Sequence, residues 1–193
     1  MKHINLKGQV REVGNKAVVK AIRKEGNVPC NLYGLGMENV LFTLDAKDLM
    51  KLTHTPNSYI VDLELDNGKK YLTILHDAQY HPVSDEALHV DFLAVDEKKP
   101  VTIDIPVKVV GHSEGVKMGG KLFVFSRKLR ASAMLKDLPD ELEVDSTNLL
   151  IGKQIVAGDL KYDGVTIVSP KSTIICSVRP TRATQQAKSE AEK

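Results

Sequence analysis

"YIVDLELDNGKKYLTILHD", residues 59–77, decides the fold class. Two apolar runs, Ile60 to Leu65 and Tyr71 to Leu75, flank Asp66, Asn67 and Gly68. Asn-Gly supplies the positive φ angles that a tight turn requires, so the stretch predicts an antiparallel hairpin. Working outward, "VLFTLD" (40–45) alternates, with Val40, Phe42 and Leu44 on one face of a further strand. Asp45 is placed to cap a short helix in "AKDLMKL" (46–52), and Ile4, Leu6 and Val10 suggest a first strand. Beyond the hairpin, "AQYHPVSDEALHVDFLAV" (78–95) predicts a loop followed by a strand that holds Val90, Phe92 and Leu93.

A charged run closed by proline, "DEKKP" (96–100), marks a boundary. After it "VTIDIPVKVVG" alternates at Val101, Ile103, Ile105, Val107 and Val109, and "KLFVFS", "KLRASAM", "VTIVS" and "STIICSV" follow between turn residues. Only "DSTNLLIG" (145–152) looks briefly helical. Residues 96–179 therefore predict a small all-β domain. From Pro180 the chain is polar, without large apolar residues, and a disordered tail over 180–193 is expected. No internal repeat is visible.

Charge is distributed unevenly. The 193 residues carry a formal net charge of only +2, and residues 1–95 hold 11 Lys and Arg against 12 Asp and Glu. That balance excludes a general polycation. Yet Lys2 to Lys24 contains seven basic residues and one acidic residue, Glu12. At 100° per residue, Lys16, Lys20, Arg23 and Lys24 fall on one side of a short helix, with Val18, Ala21 and Ile22 opposite. The apolar side is expected to pack on a core and the basic side to stay free. Such a face is ordinarily just solvated. Here Arg11 extends the stripe, Tyr33 lies just downstream, and acidic residues avoid the segment, which points to phosphates and to salt-sensitive binding. Gln79, His89 and Asp91 are the polar types that read the shallow minor groove of duplex RNA.

No catalytic constellation rises above chance. His76, Asp77, His81, Asp85, His89 and Asp91 invite a metal reading, but their spacing follows no ligand motif such as HExxH, and no metal is expected. The glycine-rich "GHSEGVKMGGK" (111–121) lacks the GK[ST] ending of a phosphate loop, and no helix pattern follows it, so a bulged connection is expected. No cofactor motif is present. Cys30 and Cys176 form no CxxC pair; reduced thiols are the simplest reading, and counting alone leaves one disulfide open. Neither a membrane span nor a signal-peptide core is found, so a cytoplasmic protein, monomeric when free, is expected.

"KAIRKEGNVPCNLYG" (20–34) followed by "DAQYHPVSDEALHVDF" (77–92) resembles the bacterial large-subunit ribosomal proteins that bind 5S rRNA. "VVGHSEGVKMGGKL", "LPDELEVDSTNLLIGKQIVAGDL" and "GVTIVSPKSTI" resemble their longer, two-domain form, known as CTC or general stress protein. The resemblance runs to about Val178. It implies a mainly β protein: an N-terminal six-stranded β-barrel with short helices over 1–95, which docks on 5S rRNA, and a C-terminal all-β domain over 96–179 that contacts neighbouring ribosomal protein or rRNA. Family RNA contacts fall on Arg11, Lys16, Lys20, Arg23, Tyr33, Gln79, His89 and Asp91. Two departures stand out: Cys30 and Asn31 replace small and aliphatic residues, and Lys20 stands where arginine is common, which removes a bidentate fork.

Overall fold

The computed structural model describes residues 2–55 and 57–181. It divides into two compact units, with the break between Val101 and Thr102.

The first unit is a closed barrel. Its strands are β1 (Lys2–Val10), β2 (Asn27–Gly34), β3 (Met37–Asp45), β4 (Tyr59–Leu65), β5 (Lys70–Tyr80) and β6 (Ala87–Ala94), in the order β1-β3-β2-β6-β5-β4. The Asn-Gly hairpin forms as expected, with Ile60 opposite Ile74 and Glu64 opposite Lys70. Gly68 adopts φ +78°, and its N–H donates to the Leu65 carbonyl at 2.9 Å. Closure comes from a parallel ladder, Lys2–Gly8 of β1 on Tyr59–Leu65 of β4. Inward positions recur every second residue, as the pleat requires: Val28, Cys30 and Leu32; Phe42 and Leu44; Val61, Leu63 and Leu65; Val90, Phe92 and Ala94. Phe42 and Phe92 meet with ring centroids 5.7 Å apart.

Two helices attach to this barrel. α1 (Lys16–Lys24) follows β1, and α2 (Ala46–Thr53) follows β3. Asp45 caps α2, accepting from the Lys47 N–H, and Leu49 and Leu52 join the core. Asn15 caps α1 by accepting from the Ala17 and Val18 N–H groups, both at 3.1 Å. Gly26, at φ +83°, ends the turn that follows.

The apolar side of α1 does not behave as expected. None of its residues is buried; Val18 is 45% exposed, Ala21 is exposed, and only Val19 and Ile22 are half-buried. The helix packs on β2 and is tied instead through Arg23, as described below. A second difference concerns residues 78–80. They continue β5 rather than starting a loop, because Gln79 and Tyr80 pair with His89 and Ala87 of β6; the loop is only 81–86.

The second unit contains β7 (Val101–Val110), α3 (Glu114–Lys117), β8 (Lys121–Val124), β9 (Lys128–Ala133), β10 (Leu142–Asp145), β11 (Gln154–Val156), β12 (Val165–Ile167) and β13 (Ile174–Arg179). One sheet runs β10-β7-β9-β12, the other β11-β13-β8. Ile103, Ile105, Leu129, Ala131, Leu142 and Val144 are buried on the first. Cys176 and Val178 pack with Leu149, Leu122 and Ile155 beside the second. Both cysteines are free thiols.

The short helical element in this unit is misplaced by the sequence reading. Residues 145–152 end a strand and form turns, whereas 114–117, inside the glycine-rich stretch, are helical. The cause is tertiary. Gly115 lies so close to the Leu149–Ile151 backbone that a Cβ there would come within 2.8 Å of the Ile151 nitrogen, and the Ser113 hydroxyl donates to the Leu149 carbonyl. Of the segment 180–193, only Pro180 and Thr181 are among the described residues; the Thr181 hydroxyl donates to the Gly119 carbonyl at 2.9 Å. The rest of the expected tail lies outside the described residues.

Candidate nucleic-acid interface

Strand alternation sorts the outer face of the barrel. Because Val90 and Phe92 point inward, His89 and Asp91 of β6 point outward. Register then defines two neighbouring rows. Asp91 lies opposite Asn31 on β2 and Asp77 on β5, while His89 lies opposite Gln79. Asn31 in turn faces Leu41 of β3, whose carbonyl accepts from the Arg11 N–H at 2.9 Å. Arg11, Asn31, Asp91, Asp77, Gln79 and His89, separated by up to eighty residues of chain, thus share one outer surface.

Tyr33 completes the upper edge. Its hydroxyl and the Nδ1 of His76 are 3.1 Å apart, with the two rings edge to face. Burial, then the charges of Asp91 and Asp77, push the Tyr33 phenol above its ordinary pKa, so the hydroxyl stays protonated and able to donate. His89 Nδ1 and Asp91 Oδ1 are 3.5 Å apart. Asp77 and Asp91 stand directly across the ladder, an arrangement of like charges that costs stability unless a donor satisfies them.

Arg23 links helix to sheet. Its Nε and Nη2 both donate to the Leu88 carbonyl, at 3.0 and 2.8 Å, next to His89. Five N–H donors are available on a guanidinium, so three stay free after this anchoring. Lys16, Lys20 and Lys24 are exposed along the same helix, beside the polar sheet face. Two buried polar atoms at this surface have no hydrogen-bond partner among the described residues: Arg11 Nε and Asn31 Oδ1. A donor and an acceptor left open in the same row lose more than they gain unless a ligand completes them. Cys30, inward beside Asn31, is pushed strongly upward by burial and senses the charges of both Arg11 and Asp91.

Of the eight residues singled out in the sequence, Tyr33, Gln79, His89 and Asp91 lie on β2, β5 and β6, Arg11 follows the end of β1, and Lys16, Lys20 and Arg23 lie on α1, which Arg23 ties to the Leu88 carbonyl of β6. Asn31 is not marked as a participant by the sequence, and Asp77 and His76 carry there only a metal reading that their spacing sets aside. The signal for Asn31 was available in the alternation, since a buried Cys30 forces its neighbour outward. The histidines disperse: His76 meets Tyr33, His89 meets Asp91, and His81 Nδ1 accepts the Val83 and Ser84 N–H groups of the 81–86 turn. Among the described residues, no group of three His, Cys, Asp or Glu could hold a metal ion. No helix among them is long and apolar enough to cross a membrane.

Chemically, the face offers cations at its border and mixed donors and acceptors at its centre. That arrangement suits an anionic polymer read by hydrogen bonds at a groove, and nothing in it resembles a catalytic centre. The class is that of a ribosomal protein, as two family models and full-length relatives show. Residues 6–92 match the Ribosomal L25p family, and residues 100–182 match the family described as Ribosomal protein TL5, C-terminal domain. The chain is 42% identical to the large ribosomal subunit protein bL25 of Bacteroides thetaiotaomicron over the full length of both. It is 44% identical to that of Azobacteroides pseudotrichonymphae, covering 98% of this chain and 100% of the relative, and 39% identical to that of Porphyromonas gingivalis, covering 97% of each. The chain belongs to the ribosomal L25p family, in its longer form with the TL5-type second half.

Proposed function

We propose that the protein is a structural component of the bacterial large ribosomal subunit that binds 5S rRNA through its barrel, while the second unit contacts neighbouring ribosomal protein or rRNA. It works in the cytoplasm on the ribosome and is monomeric when free. The observation that carries the RNA reading is the single outer face on which Asn31, Asp91, His89 and Gln79 lie in register beside the basic helix. Lys16, Lys20, Lys24 and the free donors of Arg23 meet phosphates. Gln79, His89, Asp91 and Tyr33 accept and donate toward ribose hydroxyls and base edges. Asp91 repels phosphate, so its presence at the centre favours a groove floor rather than a backbone track. Arg11 Nε and Asn31 Oδ1 supply an open donor and acceptor that RNA completes.

Titration of the full-length protein with 5S rRNA and with an unrelated duplex RNA of the same length tests this. Preference for 5S rRNA at moderate salt is expected. Equal affinity for both RNAs overturns the reading.

A further inference from the structure

The second unit carries an exposed surface with a different chemistry. In the β11-β13-β8 sheet, Gln154 lies opposite Ser177, and Ser177 opposite Phe123; two positions along, Arg179 lies opposite Lys121. Directly paired residues point to the same side of a sheet. Leu122, Cys176 and Val178 face the core on the other side. On the outer side Lys121, Phe123, Arg179 and Gln154 are exposed, while Ser177 and Ile175 of the central strand are buried beneath them. Phe125 stands just beyond β8, and its N–H donates to the Ile175 carbonyl at 2.8 Å.

Two large rings are left in solvent here, Phe123 at 37% and Phe125 at 48% exposure. The Arg179 guanidinium lies 5.5 Å from the Phe123 centroid and 5.1 Å from that of Phe125, and Lys121 Nζ lies 5.5 Å from Phe123. Among the described residues these two cations are held by rings, not by carboxylates. From Lys117 to Arg130 there are five basic residues and no acidic one. Arg130 is taken by Asp104 at 3.2 Å; of the others, Lys121 lies over the Phe123 ring. Lys121 directly opposite Arg179 is a like-charge pair that an anion relieves.

Flat rings, a guanidinium plane, uncompensated cations and an exposed amide at Gln154 are the components that stack and hold unpaired nucleotides on a sheet. A protein-docking core would instead be depleted in lysine. We propose that this sheet face binds single-stranded RNA, with bases stacked on Phe123, Phe125 and Arg179 and phosphates on Lys121 and its basic neighbours. The proposal rests on the reading that the second unit contacts ribosomal components and names which: unpaired rRNA nucleotides.

The test is fluorescence anisotropy of a labelled single-stranded oligoadenylate with the full-length protein at low salt. A Phe123→Leu/Phe125→Leu variant keeps the apolar bulk and loses the stacking planes, and about a tenfold loss of affinity per ring is expected. A Lys16→Ala/Lys20→Ala variant, altered only in the barrel helix, measures the share of low-salt oligoadenylate binding that the helix contributes, and a smaller loss than in the leucine variant is expected. No binding by the unaltered protein overturns the proposal. So does unchanged affinity in the leucine variant, the outcome that a protein-docking patch gives. Loss only in the helix variant also overturns it. Should the leucine variant not fold, Lys121→Gln/Arg179→Gln tests the same face: weaker binding with a shallower salt slope supports it, and unchanged binding overturns it. Selective 5S rRNA binding by the barrel is read separately, so failure of one leaves the other standing.

Discussion

Asp91 is the residue on which the RNA reading is sharpest, because a carboxylate beside phosphates is tolerated only if it accepts specific hydrogen bonds. Asp91→Ala is expected to cost on the order of 1–3 kcal/mol in binding 5S rRNA and little in binding unrelated duplex, measured by parallel titrations. Equal loss for both RNAs contradicts readout by this residue. Lys20→Ala should behave oppositely: the loss is general, larger at low salt than at high salt, and it lowers the slope of log affinity against log salt by about one. Cys30 and Cys176 are fully buried, with burial raising the pKa of both thiols. Thiol reagents attack the thiolate, so neither should label in the native protein at neutral pH and both should label after unfolding. Sequence alternation around Val90 and Phe92 already turns His89 and Asp91 outward, whereas Gln79 joins them only through the pairing of β5 with β6. Alternation could not show that Arg11 Nε and Asn31 Oδ1 stand open beside them, since that depends on register between β1, β2 and β3.

At the scale of elements, α1 departs most from its sequence reading. The helical wheel assigned its apolar side to the core, yet its attachment is a capped N-terminus and the paired bonds of Arg23 to Leu88. Arg23→Ala is therefore expected to loosen the helix, seen as faster hydrogen exchange at 16–24 with the barrel amides unchanged. Arg23→Lys should recover only part of this, because an ammonium lacks the two-donor fork. Asn15→Ala removes the cap and should cost about 1 kcal/mol. If exchange in α1 is unaffected by Arg23→Ala, the tether is not what positions it. β5 shows the complementary error: polar residues 78–80 look like a loop alone, and only pairing with β6 makes them strand. The same holds for Glu114–Lys117, a helix fixed by the Leu149–Ile151 backbone.

For the molecule as a whole, barrel closure is the decisive event. β1 occupies the gap between β3 and β4, and Gly8 permits it: a Cβ there would come within 2.7 Å of the Phe42 ring. Gly8→Val is expected to destabilise the barrel by about 1–3 kcal/mol through overpacking, read from denaturant midpoints. We also propose that residues 1–95 and 96–179 act as separate domains. The fragment 1–95 should then unfold cooperatively and retain the 5S rRNA preference of the full chain; a fragment without cooperative unfolding argues against that division. The hairpin at 59–77, the alternating strands, the turn at Asn67-Gly68 and the cap at Asp45 were determined by sequence alone, because each depends on neighbours within a few residues. The two-residue period further fixed which side of each strand is apolar. What only tertiary structure decided is which strands meet. The parallel β1–β4 seam, the row from Arg11 through Asn31 to Asp91, the hold of Arg23 on Leu88, and the ring-and-cation surface of β8 and β13 all join residues distant in sequence, and local preference carries no information about such pairing.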